Sequence, residues 1–233
     1  AAGTIALLVG GVLAALALTW VERLVPLPMI PPELLRRRQF RTVVVVGGIY
    51  NFGFYGTLFC LSLVLHEKLG LSPFDTGLAL LPLALLIGTI AFGSARLIAR
   101  LGEWRAMLFG LAGGAAGTAL LAIFGGDSVA ATIVFSVPVA SIAMTMQAMT
   151  ALAMEGTPVE RIGLAAGVQN AARQAGGALG VALLGTLLGT TGSLELHLPL
   201  AVVSAGYLLS FGMTLAARRH ALRDQKSPDS DHL

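Results

Sequence analysis

Seven stretches of this chain are long and apolar enough to cross a lipid bilayer, and no other feature limits its fold as strongly. A helical span needs about 20 apolar residues because the hydrocarbon core is about 30 Å thick. The stretches run approximately over Ala1–Trp20, Thr42–Leu65, Gly77–Ala95, Ala106–Phe124, Val129–Ala153, Gly163–Gly189 and Leu198–Ala217. All 12 acidic residues fall outside them, and of the 15 basic residues only Arg173 falls inside. The expected fold class is therefore all-α, a polytopic membrane protein with seven transmembrane helices.

The charged residues set an orientation. Thirteen basic residues lie in the segments on one side, among them Arg36, Arg37, Arg38 and Arg41, against Lys68 alone on the other. Cytoplasmic loops carry the excess of Lys and Arg. The N-terminus is accordingly expected outside and the C-terminus in the cytoplasm, with the chain a multi-pass protein of the plasma (inner) membrane. A Pro-rich connector, Val21 to Arg41, ends in the Arg cluster, which serves as a topology determinant and also suits anionic lipid. The chain opens on Ala1 with no charged region before a short apolar core, unlike a signal peptide, and is expected to be a trimmed or partial product.

Composition removes whole classes of function. Charged residues make up only 12% of the chain, and no basic stripe is interleaved with aromatics, so nucleic acid is not an expected partner. The one cysteine, Cys60, sits in an apolar run and is expected to be a buried thiol. There is no phosphate-binding loop, nucleophile elbow or Cys/His metal spacing, so no catalytic residue, cofactor or metal is assigned.

Two segments share an opening. Ser72-Pro73-Phe74-Asp75 precedes Gly77, and Thr157-Pro158-Val159-Glu160 precedes Gly163. Each offers a hydroxyl cap, a proline at the first helical position and an acid facing the helix dipole. Each opens the middle helix of a three-span group, and the two groups have opposite orientation. Such inverted repeats are common in secondary transporters.

Longer runs carry a family resemblance. LSLVLHEKLGLSPFDTGLALLPLAL (Leu61–Leu85), GLAAGVQNAARQAGGALGVALLGTLL (Gly163–Leu188) and the connector PLPMIPPELLRRRQF resemble the fourteen-span drug:proton antiporters of the major facilitator superfamily. The resemblance implies that residues 1–20 form an accessory transmembrane helix and 21–41 a cytoplasmic connector. It implies further that 42–217 form the C-terminal six-helix bundle of two inverted three-helix repeats, with 218–233 a cytoplasmic tail. The loop Arg96–Gly102 resembles a degenerate copy of the superfamily's loop signature, with Ala99 where the signature's acid stands.

The same resemblance implies that the first helix of each three-helix group lines a central cavity. On the second span Asn51, Tyr55, Leu58 and Ser62 share a helical face. On the fifth, Ser136, Ala140, Ala143, Gln147, Thr150 and Met154 do the same. Polar stripes in membrane helices face a cavity or another helix rather than lipid, and both readings stay open for Asn51, Tyr55, Ser136, Gln147 and Thr150. Arg173 is a candidate for coupling, or an interfacial residue snorkelling at the cytoplasmic edge. His66, at the outer end of the second span, is a candidate for proton exchange or a solvated loop residue. The GxxxG pairs Gly163/Gly167, Gly176/Gly180 and Gly185/Gly189 read as packing positions.

The expected function is the C-terminal half of a proton-coupled efflux transporter that exports amphipathic compounds by alternating access. Its expected partners are a small-molecule substrate, protons, the lipid bilayer and a missing N-terminal transporter half. The alternative is a non-transporting membrane scaffold or truncated transporter remnant. Sidedness is directly measurable. In cells expressing the chain without Cys60, single cysteines at Ser128 and Ser193 should react with an impermeant thiol reagent, and cysteines at Glu103 and Ser227 should not. The opposite pattern would invert the orientation.

Overall fold

The computed structural model describes Leu34, residues 36–190 and residues 194–224. The expected accessory span Ala1–Trp20, most of the connector and the end of the tail lie outside the described residues. Among the described residues the structure is helical, and six helices are long and apolar enough to span a bilayer. They are α1 (Arg38–Leu63), α2 (Pro73–Leu101), α3 (Glu103–Phe124), a span made of α4 (Val129–Ser136) and α5 (Ala143–Met154), then α6 (Ile162–Thr190) and α7 (His197–Asp224). In a bilayer core every backbone amide must find its partner inside the protein, and a helix does this along its own length.

The helices overrun the apolar windows at their ends. Arg38 and Arg41 belong to the first turns of α1 rather than to the connector, and α7 continues past Ala217 to Asp224. The C-terminal end of α1 widens into a π-helical turn, Val64–Lys68, closed by Leu69 N–H donating to the Val64 carbonyl at 2.9 Å. Between α4 and α5 the chain tightens into a 3₁₀ segment, Val137–Ile142, with Pro138 in its first turn. Residues Arg96–Leu101, expected as a loop, are the last turns of α2. The connection to α3 is Gly102 alone, at φ 80° and ψ 155°, a conformation essentially closed to residues with a Cβ.

The two matching openings fold differently. Ser72 caps α2 as expected: its hydroxyl accepts from Asp75 N–H at 3.1 Å and donates to the Asp75 carboxylate at 2.6 Å. Thr157 does not cap. Its hydroxyl turns back and donates to the Ala153 carboxyl-side carbonyl oxygen at 3.1 Å, and a 3₁₀ turn, Val159–Arg161, leads into α6. The preceding helix ends so close to Thr157 that its free carbonyls claim the hydroxyl first.

Packing reveals the repeat more clearly than the caps do. The first helix of each three-span unit packs on the middle and third helices of the other unit. Thus α1 lies on α6 and α7, and the α4–α5 span lies on α2 and α3. The third helices α3 and α7 pack on one another, while α2 with α3, and α6 with α7, touch sparingly. The units are interleaved, so neither buries its apolar surface without the other.

The closest of these contacts is between α1 and α6. A Cβ added to Gly176 would collide with the backbone of Gly48, and one added to Gly180 with the backbone of Phe52. The hydrogen standing in for each side chain therefore points at a main-chain atom of the facing helix. Such Cα–H···O contacts contribute about 0.5–1 kcal/mol each. Gly185 makes room for the Phe59 ring, whereas Gly163, Gly167 and Gly189 face open space. The packing role expected of three glycine pairs is thus carried by Gly176 and Gly180, with Gly185 assisting.

These differences predict opposite outcomes for one substitution. Gly176→Ala should destabilise the purified chain by about 1–3 kcal/mol, the usual cost of overpacking. Gly163→Ala should be neutral or stabilising by up to about 1 kcal/mol, as removal of a helical glycine usually is. Thermal unfolding in detergent distinguishes them, and equal effects would contradict the assigned contact.

Candidate functional site

Both expected stripes divide along their length. Asn51 is 2% exposed, whereas Tyr55, one turn further along α1, is 43% exposed. Ser136 is buried, and its hydroxyl donates to the Ile133 carbonyl of its own helix at 2.8 Å. Ala140 and Ala143 are buried as well. Gln147 and Thr150 are exposed, the latter donating to the Met146 carbonyl at 2.9 Å. Asn51 and Ser136 are therefore buried, while Tyr55, Gln147 and Thr150 are open.

Tyr55 is held in place from two sides. Its ring meets Phe54 edge-on, with centroids 5.3 Å apart, and Phe54 stacks on Tyr50 at 6.0 Å. On the other side it lies over Gly177 of α6, where a Cβ would stand 2.8 Å from the ring. Phe59 follows at the next turn, over Gly185. One side of α6 thus carries an aromatic wall supplied by α1.

Two polar residues on that side of α6 are open as well and were not named as cavity candidates from the sequence. Asn170 and Gln174 precede Gly177 by seven and three residues, the spacing of a shared helical face, and both are exposed. The signal was present: polar side chains well inside an apolar span, the same pattern that identified Gln147. Gln169, on the buried side, is 3% exposed and its Nε2 has no partner among the described residues.

Arg173 lies between these two sides, about three turns from the start of α6. Its stem packs beside Gly47 of α1, whose Cβ position is 3.2 Å from Arg173 Cγ. Nη2 is 3.8 Å from the Met146 sulfur on α5, and Nε is buried without a partner. The side chain turns into the bundle, not outward to the boundary as snorkelling requires. Helix length suggested the edge, but the space opened by Gly47 admits the stem between α1 and α5. The Met149 sulfur lies 3.6 Å from the same Gly47 position, so two polarizable thioethers, Met146 and Met149, line the space that the Arg173 stem enters.

His66 stands apart, in the π-helical turn. Its Nδ1 lies 2.7 Å from the Leu71 carbonyl, which fixes Nδ1 as the donor. A cavity of about 200 Å³ beside it is lined by Phe59, Ser62, Leu63, Pro73 and Thr76. The Thr76 hydroxyl is buried there without a partner. Nearby, Lys68 at the end of the π-helical turn pairs with Asp127 of the α3–α4 connection at 3.6 Å. No group of His, Cys, Asp or Glu among the described residues is arranged to hold a metal ion.

Known proteins place this architecture. The family profile described as Major Facilitator Superfamily matches residues 1–181. The chain is 36% identical over 221 residues to the puromycin resistance protein pur8 of Streptomyces alboniger, covering 91% of this chain and 41% of that one. It is 29% identical over 219 residues to the methylenomycin A resistance protein of Streptomyces coelicolor, covering 93% and 46%. Among solved structures, a crystal structure of the peptide transporter POT in complex with sulfate superposes with a TM-score of 0.59 at 21% identity, over 77% of this chain and 37% of that one. The chain thus spans less than half the length of the relatives it matches. The interleaved six-helix bundle and a family match over most of its residues give one assignment: the chain belongs to the Major Facilitator Superfamily.

Proposed function

We propose that this chain forms one of the two bundles of a proton-coupled drug exporter, with the open face of α1, α5 and α6 lining the substrate path. The observation that carries this reading is the exposure of Tyr55, Gln147, Thr150, Asn170 and Gln174 within bilayer-spanning helices. Polar groups at that depth are strongly disfavoured against lipid. A water-filled cavity closed by a second bundle accommodates them, as alternating access between two bundles requires. The names of the resistance proteins from Streptomyces support an antibiotic-like substrate.

In this reading Tyr55 and Phe59 supply flat apolar surface, and Gln147, Thr150, Asn170 and Gln174 supply adaptable hydrogen bonds. That combination suits amphipathic compounds of varied shape. Arg173 is the one basic residue inside the apolar stretches, and it holds a positive charge beside the path. No carboxylate lies inside any of the apolar stretches, so a membrane-embedded proton carrier belongs to the second bundle. His66, exposed in the π-helical turn, stands at the outer end of the path. The C-terminus faces the cytoplasm, as the basic residues direct.

The test separates the open face from the packed positions. In the complete transporter, cysteines at Gln147 and Asn170 should react with a hydrophilic thiol reagent, and bound substrate should slow that reaction several-fold. Gln147→Ala should change the resistance spectrum with normal expression, whereas Asn51→Ala should lower stability without changing the spectrum. Unreactive cysteines at both open positions, or a spectrum indifferent to Gln147, would overturn the assignment.

A further inference from the structure

The sparing contact between α6 and α7 leaves a groove against α1 of about 460 Å³. Its lining carries no polar side chain, and Gly48, Gly176 and Gly206 contribute no side chains to fill it. At Val45 the groove opens into a second hollow of about 260 Å³ between α1 and α7, lined by Arg38, Arg41, Thr42, Met213 and Ala216. The two are one surface. Arg38, Arg41, Val45 and Ile49 follow one another at helical spacing along one face of α1. Gly206, Leu209, Met213 and Ala216 do the same on α7.

The surface therefore has a cationic end where α1 begins and an apolar channel running about 16 Å into the span, the rise from Arg38 to Ile49. Neighbouring residues of the cluster are committed elsewhere. Arg37 donates to the Gly156 carbonyl at 2.7 Å, and Gln39 donates to the Glu155 carboxylate at 2.8 Å. Arg38 and Arg41 are exposed and have no acidic partner among the described residues. Thr42 is 7% exposed, and its hydroxyl has no hydrogen-bond partner among the described residues.

We propose that this surface is a binding site for one anionic phospholipid. The headgroup phosphate sits against Arg38, Arg41 and the Thr42 hydroxyl, and one acyl chain lies in the groove between α6 and α7. A zwitterionic lipid offers the same chain, but its own cation offsets the phosphate that the arginines attract. Free phosphate satisfies the arginines and leaves the apolar channel empty. A second protein helix would fill the channel and leave the arginines facing its polar flank. The proposal depends only on the chain spanning a membrane and stands whether or not the chain exports drugs.

The test uses the full chain in detergent, titrated with phosphatidylglycerol or phosphatidylcholine, with bound lipid counted by native mass spectrometry. One phosphatidylglycerol should be retained at concentrations where phosphatidylcholine is lost, and excess inorganic phosphate should not displace it. The double variant Arg38→Gln/Arg41→Gln should bind phosphatidylglycerol about thirtyfold more weakly, from about 1 kcal/mol for each basic residue at an anionic surface. Arg38→Lys/Arg41→Lys should retain most of the binding, which guards against a folding defect. Ala175→Phe, which fills the channel at an exposed position of its lining, should weaken binding at least fivefold with both arginines intact. Equal retention of the two lipids, displacement by phosphate, or indifference to either variant would overturn the proposal.

Discussion

The backbone contact of α1 with α6 is the constraint on which the rest of this structure depends. Gly176 sits on Gly48 and Gly180 on Phe52, with Leu184 filling the notch at Gly56. Lipid tails are as apolar as leucine, so burying apolar surface gives membrane helices little reason to associate. Close packing and small residues supply the reason instead. Because α1 and α6 come from different three-span units, the tightest backbone contact among the described residues is also one that binds the units together. In the other half the close glycine contacts fall on a third helix: Gly113 and Gly117 of α3 lie against the 3₁₀ segment between α4 and α5, and Gly110 lies against Thr145 of α5.

From that contact follow both open surfaces. With α6 pressed on α1, the residues of α1 to one side of the crossing become an aromatic wall beside the open polar face. Those to the other side become one flank of the groove against α7. Tyr55 and Val45 lie on opposite sides of the same crossing. Arg173 reaches the space between α1 and α5 because Gly47 leaves room for its stem. The exposed polar residues and the apolar groove are thus two consequences of one close approach.

Much of this was legible in the residues. Span number and position follow from apolar length, because the bilayer sets a fixed thickness, and all six described spans lie over stretches expected to cross. The cap at Ser72 was legible because its acid is local, three residues away. The cap expected at Thr157 fails although Glu160 stands at the same spacing, because the Ala153 carbonyl of the preceding helix takes the hydroxyl. Helical spacing placed Asn51 and Tyr55 on one face but carries no depth, so it missed that a neighbouring helix covers one and leaves the other open. The inward turn of Arg173 depended on a missing side chain on another helix, a relation that spacing within α6 does not contain. Gly163 and Gly176 look alike in sequence, and only the crossing point separates them.

The interleaving of the two units is tested most directly by a crosslink across that crossing. Tyr55 Cγ lies 3.6 Å from the Cβ position of Gly177, so cysteines replacing both residues stand within disulfide range once the ring is gone. In the chain lacking Cys60, the pair Tyr55→Cys/Gly177→Cys should oxidise to an intramolecular disulfide under mild conditions and raise the unfolding temperature. Two freely reactive cysteines that never pair would contradict the contact between α1 and α6, and with it the interleaved bundle.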